Sequence, residues 1–221
     1  MIIVHHLNNS RSQRILWMLE ELGIPYEIRH YQRDKKTMLA PASLKQVHPL
    51  GKSPVITDGD ITVAESGAII EYLAYTYARD TLLPAPGSAE HRDYTYWMHF
   101  AEGSLMPPFV MKLVFDKVRS APVPFFLKPV TKGIADKVMN SFVGPNIKNN
   151  MDFIESTLAG REWFAGSRLT GADFQMSFPL EAAVAGRATG NFPHITAWVK
   201  KVQARPAYQR ALKAGGPYDY A

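Results

Sequence analysis

The sequence predicts a small α/β domain followed by an all-α domain. Three observations carry this reading. Residues 1–80 alternate between apolar runs and helical periodicity, in the order strand, helix, strand, then strand, strand, helix. A stretch bearing two prolines and a glycine, "RDTLLPAPGS", comes next. Beyond it no β-rich alternating run returns, and apolar residues recur at helical spacing. The boundaries read as 1–80 for the first domain, 81–88 for a linker and 89–221 for the second domain.

Met1 to Val4 is a short apolar run with β-branched residues, as a buried strand has. From Ser12 the pattern turns helical, with Ile15, Met18, Leu19 and Leu22 on one face. Gly23 and then Pro25 stop that helix. Tyr26 to Tyr31 reads as a second strand, and a strand–helix–strand unit makes the two strands parallel. Residues 32–52 are polar and broken by proline, with one short helix expected near Ala42 to Val47. Pro54 to Thr57 and Ile61 to Val63 flank Asp58-Gly59, a hairpin signal because both turn residues tolerate positive φ. Ser66 opens a helix that places Ile69, Ile70, Leu73 and Tyr77 on one side. In the second domain helices are expected over Glu90 to about Val118, Ile134 to Phe142 and Ile147 to Leu158, then from Ala172 and around Ile195 to Val202. The prolines at 107, 108, 122, 124 and 129 bend or end them.

Composition narrows the function. The chain has 221 residues, 46% of them hydrophobic and 20% charged, as soluble globular domains do. No apolar run approaches the ~18 residues of a membrane span, and no signal peptide is expected at the N-terminus. Cysteine is absent, which removes disulfides, thiolate metal sites and a cysteine nucleophile, and fits a reducing compartment. The net charge of +5 favours small anions, but the basic residues are scattered, so no nucleic-acid partner is expected. His5, His6, His48, His91, His99 and His194 show no metal-ligand spacing beside a carboxylate cluster, so no metal site is expected.

Four places carry candidate chemistry. Ser10, beside Asn9 and Ser12, precedes the first helix and could cap it. The same position could hold a ligand thiolate against the positive helix end, with the hydroxyl donating to sulfur. Pro54 heads a strand, where proline is tolerated; with a cis bond, Ser53 would offer its amide and carbonyl outward. Glu65-Ser66 opens the second helix, either as an ordinary cap or as a grip for both charges of an amino-acid group. Lys52 could then meet a carboxylate at the ligand's far end. Thr170 and Asp173 in "LTGADF" have capping-box spacing, a folding role. Tyr94, Tyr96, Trp97 and Phe100 read as core or interface aromatics, and Met106, Phe109 and Met111 as core or pocket lining.

In order, a strand, a serine-bearing loop, a helix with Arg14, a strand, "HPLGKSP", a hairpin, "AESGAIIEYL", a linker and a helical half with "LTGADF" resemble a cytosolic-type glutathione S-transferase. The match runs over essentially the whole chain and is nearest the fungal and bacterial branch that has "GKSP", "AESG" and "EGSLMPP". The resemblance implies a thioredoxin-like first domain that binds glutathione as co-substrate, and a helical domain that supplies the hydrophobic co-substrate pocket. It implies that Pro54 is a cis proline, that Ser53 meets the cysteinyl backbone, that Glu65 and Ser66 hold the γ-glutamyl group, and that Lys52 approaches the glycyl carboxylate. It implies that the hydroxyl facing the glutathione sulfur is Ser10, four residues before Arg14 as in serine-type members, with Asn9 and Ser12 the neighbours that a shifted register would put in that catalytic role. The tyrosine of other members is absent, position 5 or 6 being histidine, and a cysteine is excluded by composition. The expected activity is conjugation of the glutathione thiolate to hydrophobic electrophiles, a detoxification reaction, in a cytoplasmic homodimer with no membrane partner. Glutathione-dependent disulfide or peroxide reduction is a second reading, and a non-catalytic glutathione-binding module a third.

Overall fold

The computed structural model describes all residues from Met1 to Ala221. Its first domain is thioredoxin-like. Strands β1 (Ile2–Leu7), β2 (Tyr26–Tyr31), β3 (Val55–Asp58) and β4 (Ile61–Ala64) form one sheet in the order β2-β1-β3-β4. The strand β1 runs parallel to β2 and antiparallel to β3, and the Asp58–Ile61 hairpin returns β4 antiparallel to β3. Helix α1 (Ser12–Leu22) makes the βαβ crossover, and every residue from Ser12 to Leu19 is buried. It ends at Gly23, whose φ of 62° is the left-handed cap expected of glycine there. Helix α2 (Ser66–Tyr77) follows β4 directly.

Register decides where the site can form. Val55 pairs with Ala64 across the hairpin, and His5 pairs with Val55. The residues one step further out are Pro54 before β3, Glu65 after β4 and the end of β1 with its following loop. All three therefore meet at one end of the sheet, beside the first turns of α1 and α2.

The one-turn helix α3 (Arg79–Leu82) begins in the stretch read as a linker. The second domain holds α4 (Ala89–Phe100), α5 (Met106–Arg119), α6 (Lys128–Val138), α7 (Gly144–Leu158), α8 (Gly171–Ala182), α9 (Pro193–Gln203) and α10 (Pro206–Gly215). A π-turn at Ala101–Leu105 joins α4 to α5, so the single long helix expected from Glu90 is interrupted there. Another π-turn, Met139–Val143, joins α6 to α7. The last helix, α10, was not anticipated. Its buried face is small, made by Ala207, Tyr208, Ala211 and Gly215.

Both domains share one core. A single cluster of 43 buried residues runs from Ile2 to Ala211. The indole of Trp17 in α1 lies 4.3 Å from the Phe174 ring of α8 and 5.8 Å from Tyr208 of α10. Its Nε1 donates to Glu21, which also accepts from Arg205 of the helical domain at 2.9 Å. Gly171 allows the α8 start to approach its neighbours, since a Cβ there would sit 2.9 Å from the Tyr94 hydroxyl and 3.0 Å from Ile70.

One residue differs from the sequence reading, and several open ones are resolved. Tyr77 is 44% exposed instead of facing the core, because its hydroxyl and that of Tyr72 both donate to the Asp58 carboxylate in the hairpin. Tyr96 is half exposed. Met106 and Phe109 are buried in the core, while Met111 is only partly buried. The capping box is formed: the Asp173 carboxylate accepts the Thr170 amide at 2.8 Å and its hydroxyl at 3.1 Å, and the Phe164 amide at 2.9 Å.

Candidate functional site

At the end of the sheet where β3, β4 and α2 converge lies a cleft of about 230 Å³. Four residues singled out from sequence, Lys52, Ser53, Glu65 and Ser66, line it together with Pro54. The first domain also contributes Arg11, His48 and Leu50, and the second contributes Glu102. The cleft therefore lies where the two domains meet.

The Ser53–Pro54 peptide is cis. The Ser53 hydroxyl donates to the His5 carbonyl at 2.8 Å and accepts from the Leu7 amide at 3.3 Å, which ties this residue to the end of β1. No hydrogen bond within the protein uses the Ser53 amide or carbonyl. A peptide backbone lying alongside would find one donor and one acceptor free, as at an open strand edge.

Glu65 occupies the left-handed region at φ 71°, a conformation that non-glycine residues adopt at a cost of order 1–3 kcal/mol and that concentrates at binding sites. Its carboxylate is exposed and forms no ion pair, and no side chain caps α2. Ser66 is buried, 3% exposed, at the first turn of that helix, where backbone N–H groups lack partners. Its Oγ accepts from Arg14 at 2.5 Å.

Arg14 is fully buried in α1. Besides Ser66 it donates to Glu102 Oε1 at 2.5 Å and to the backbone carbonyl of Gln175 in α8. Arg11 donates to the same Glu102 oxygen at 2.7 Å. One carboxylate from the helical domain thus balances two guanidinium groups of the first. Burial pushes the Glu102 carboxyl up, but Arg14 and Arg11 outweigh it and hold the group below the ordinary range. Burial also lowers Arg14, an effect that Glu102 opposes. The guanidiniums of Arg11 and Arg14 lie 5.1 and 5.9 Å from the Phe178 ring centroid.

The loop before α1 is arranged differently from the expectation. Ser10 is buried, 4% exposed, and is not part of the cleft lining. Its Oγ lies 2.8 Å from Ser12 Oγ and accepts the Ser12 amide at 3.2 Å, closing the turn that starts the helix. Ser12 Oγ continues the chain to His6 Nδ1 at 2.9 Å. Burial, reinforced by His30, holds His6 at about 4, so this imidazole is neutral at pH 7. Asn9, at φ 49°, pairs instead with the C-terminal tail: Nδ2 donates to Asp219 at 2.7 Å and Oδ1 accepts the Asp219 amide at 2.9 Å. The loop residue that lines the cleft is Arg11.

Taken together, the cleft offers two free carriers of charge, Lys52 and Glu65, about a paired cluster of Arg11, Arg14 and Glu102, with an unused peptide edge at Ser53. Such a surface suits an extended, zwitterionic peptide. Sequence reasoning missed Glu102 and Arg11 as cleft residues. The signal for Glu102 was present in "EGSLMPP", where an acid precedes a proline-bent helix, but its partner lies 88 residues away.

Comparison with known proteins agrees with this fold. Residues 1–75 match the model of the glutathione S-transferase N-terminal domain, and residues 135–206 match that of the C-terminal domain. Glutathione S-transferase 3 of Schizosaccharomyces pombe is 38% identical over 214 residues, covering 96% of this chain and 87% of the relative. Among solved structures, a glutathione S-transferase from Actinobacillus pleuropneumoniae is 33% identical with a TM-score of 0.80, over 100% of this chain and 95% of that one. A glutathione transferase family member from Pseudomonas fluorescens, solved with two glutathione bound, is 26% identical with a TM-score of 0.73, over 96% and 92% of the two chains. This chain belongs to the glutathione S-transferase family.

Proposed function

We propose that the protein binds glutathione in this cleft and conjugates its thiolate to hydrophobic electrophiles. The observation that supports this most is the convergence of Ser53, Glu65 and Ser66 on one cleft, with Ser66 held by the Arg14–Glu102 pair. The Glu65 carboxylate suits the γ-glutamyl ammonium. The Ser66 hydroxyl and the unpaired amides of α2 suit its carboxylate. The free backbone of Ser53 suits the cysteinyl residue, and Lys52 the glycyl carboxylate. Relatives named for glutathione transfer, and the Pseudomonas fluorescens structure, agree with this ligand.

In the reaction the glutathione S–H bond loses its proton, the sulfur forms a bond to an electrophilic carbon, and the leaving group departs with the electron pair of its bond. A thiol of ordinary pKa is only a few per cent ionised at pH 7. Stabilising the thiolate by ~2 pKa units contributes about 2.7 kcal/mol. The positive groups at the loop carrying Asn9 and Ser10 are the N-terminal amides of α1, the Arg11 cation and Arg33, whose guanidinium donates to the Asn8 and Asn9 carbonyls. A catalytic role for Ser10 requires its hydroxyl to turn from Ser12 to the sulfur, and one for Asn9 requires release of Asp219. The same reading makes the protein a cytoplasmic homodimer, in which one subunit's first domain meets the other's second. Tyr96 of α4 and Phe153 of α7, both exposed and with ring centroids 6.1 Å apart, suit such an interface.

Calorimetry with glutathione, together with the rate of conjugation to a chloronitrobenzene, tests the reading. Binding plus turnover is the expected result. Turnover only with mixed disulfides would replace conjugation by reduction, and binding without turnover on a broad electrophile panel would leave a non-catalytic module.

A further inference from the structure

Helices α5 and α6 form an arm whose outer part is left out of the core. No residue from Val110 to Ile134 is buried. Of these, only Met111 packs against the main cluster. Yet the segment is rich in apolar side chains. At its tip Phe125 is 82% exposed and Phe126 64%, and along the sides Val130, Ile134 and Val114 are each at least half exposed. The two phenylalanines stand edge to face on a single 3-10 turn, Phe125–Leu127, between Pro124 and Pro129. Those prolines fix φ on both sides, so the rings are held outward by a stiff turn. Burial of apolar surface is the main favourable term in folding, and an exposed patch of this kind is a docking surface.

Charge shows what docks there. Residues 110–138 contain six lysines and arginines against two aspartates, so this short segment accounts for most of the chain's net charge of +5. Both aspartates are already paired, Asp116 with Lys112 at 2.7 Å and Asp136 with Arg119 at 3.2 Å. Lys117, Lys128 and Lys132 have no carboxylate partner. Aromatic and aliphatic side chains at an apex, with unpaired cations behind them, are the arrangement of a segment that lies in a lipid interface, where rings enter the headgroup boundary and cations meet anionic lipid. A two-fold contact between copies at the tip would instead bring two segments of the same positive charge together.

We propose that the α5–α6 arm docks this protein onto the surface of an anionic phospholipid membrane. The protein lies on the bilayer without crossing it, since no helix is long and apolar enough to span. This departs from the sequence expectation of no membrane partner. The tip stands roughly 20 Å along α5 from the domain cleft, so docking and glutathione binding use separate surfaces.

Flotation with vesicles tests it, using the full-length protein. Vesicles of phosphatidylcholine containing about 30% phosphatidylserine should carry the protein, and pure phosphatidylcholine much less, with binding falling as salt rises. The double variant Phe125→Ser/Phe126→Ser should weaken binding by about tenfold or more, and Lys128→Glu/Lys132→Glu should abolish the preference for phosphatidylserine. All four residues are exposed, so glutathione affinity and the circular dichroism spectrum should not change. The proposal is overturned if wild type stays with the buffer in both vesicle types, or if either variant floats like wild type. It is equally overturned if the phenylalanine variant converts a dimer to monomers in sedimentation, which would make the arm an interface between copies, or if the arm proves to be covered by an acidic protein that competes with vesicles.

Discussion

Arg14 of the first domain and Glu102 of the second form an ion pair at 2.5 Å, with the guanidinium wholly inside the protein. The pair reaches the cleft twice, through Glu102 itself and through Ser66, which Arg14 also holds. Domain packing and the shape of the cleft therefore depend on the same two side chains.

Replacing Glu102 by Gln should leave Arg14 as a buried charge with neutral partners only. A loss of about 3 kcal/mol is expected, the lower end for a broken buried pair, or a fall in Tm of roughly 6–12 °C. Acid should mimic it in wild type. The Glu102 carboxyl is held below its ordinary range, so its contribution is present above pH ~4.5 and lost as pH falls through the lower folded value. Thermal melts of both proteins between pH 3 and 7 check this, on the order of the range given by reference carboxyl pKa values. An unchanged melting curve for the variant would contradict the pairing.

Glu65→Ala and Ser66→Ala should each weaken glutathione binding by ~1–3 kcal/mol, the cost of an unmade charge-assisted bond. Isothermal calorimetry reads it directly. If affinity is unaltered, the γ-glutamyl end lies elsewhere.

Arg11→Gln should raise the pH at which bound glutathione ionises by about one unit, because an opposite charge nearby favours the thiolate. Ultraviolet absorbance of the thiolate follows the titration. Ser10→Ala separates two roles. A stability loss of ~1 kcal/mol with an unmoved thiol titration makes it a turn residue only, whereas a raised thiol pKa assigns its hydroxyl to the sulfur.

Glu181 predicts an unusual pH profile. It is 2% exposed, and burial pushes its carboxyl up to about 7 although Tyr208 and Tyr218 donate to it at 2.5 and 2.7 Å. The folded group is neutral where the unfolded one is ionised. Its destabilising effect is absent below pH ~4.5, grows as pH rises and is complete above ~7, amounting to about 3 kcal/mol. Glu181→Gln should therefore gain stability over wild type on going from pH 4.5 to 8. Parallel melting curves across that range would refute the buried neutral carboxyl.

What the sequence revealed and what it hid follow from range. The limits of β2 at Tyr26 and Tyr31, the Gly23 stop and the Thr170–Asp173 box rest on residues a few positions apart, so local chemistry settles them. The grouping of Lys52, Ser53, Glu65 and Ser66 needed only one hairpin between them. Ser10 was read correctly as a loop residue before α1, but a hydroxyl two positions from another can bond to it or turn outward, and sequence does not distinguish these. Arg11, Glu102 and the Asn9–Asp219 contact depend on pairings 91 and 210 residues apart. The buried face of α10, Ala207, Tyr208, Ala211 and Gly215, does have helical spacing, but three of the four residues are small, so no run of large apolar side chains marked it.

The shared core has a consequence for how the molecule comes apart. Trp17 inserts between helices of the second domain, and Glu21 is fastened to Arg205, so the two halves have no separate interiors to retain. The chain should melt in one transition. A protease that nicks it near Pro86, where the chain is exposed, should leave two fragments that stay together non-covalently and elute with the uncut protein. The same property makes residues 84–88 a natural place to split the protein into two complementing pieces, each of which should lose circular dichroism signal when isolated and regain it on mixing.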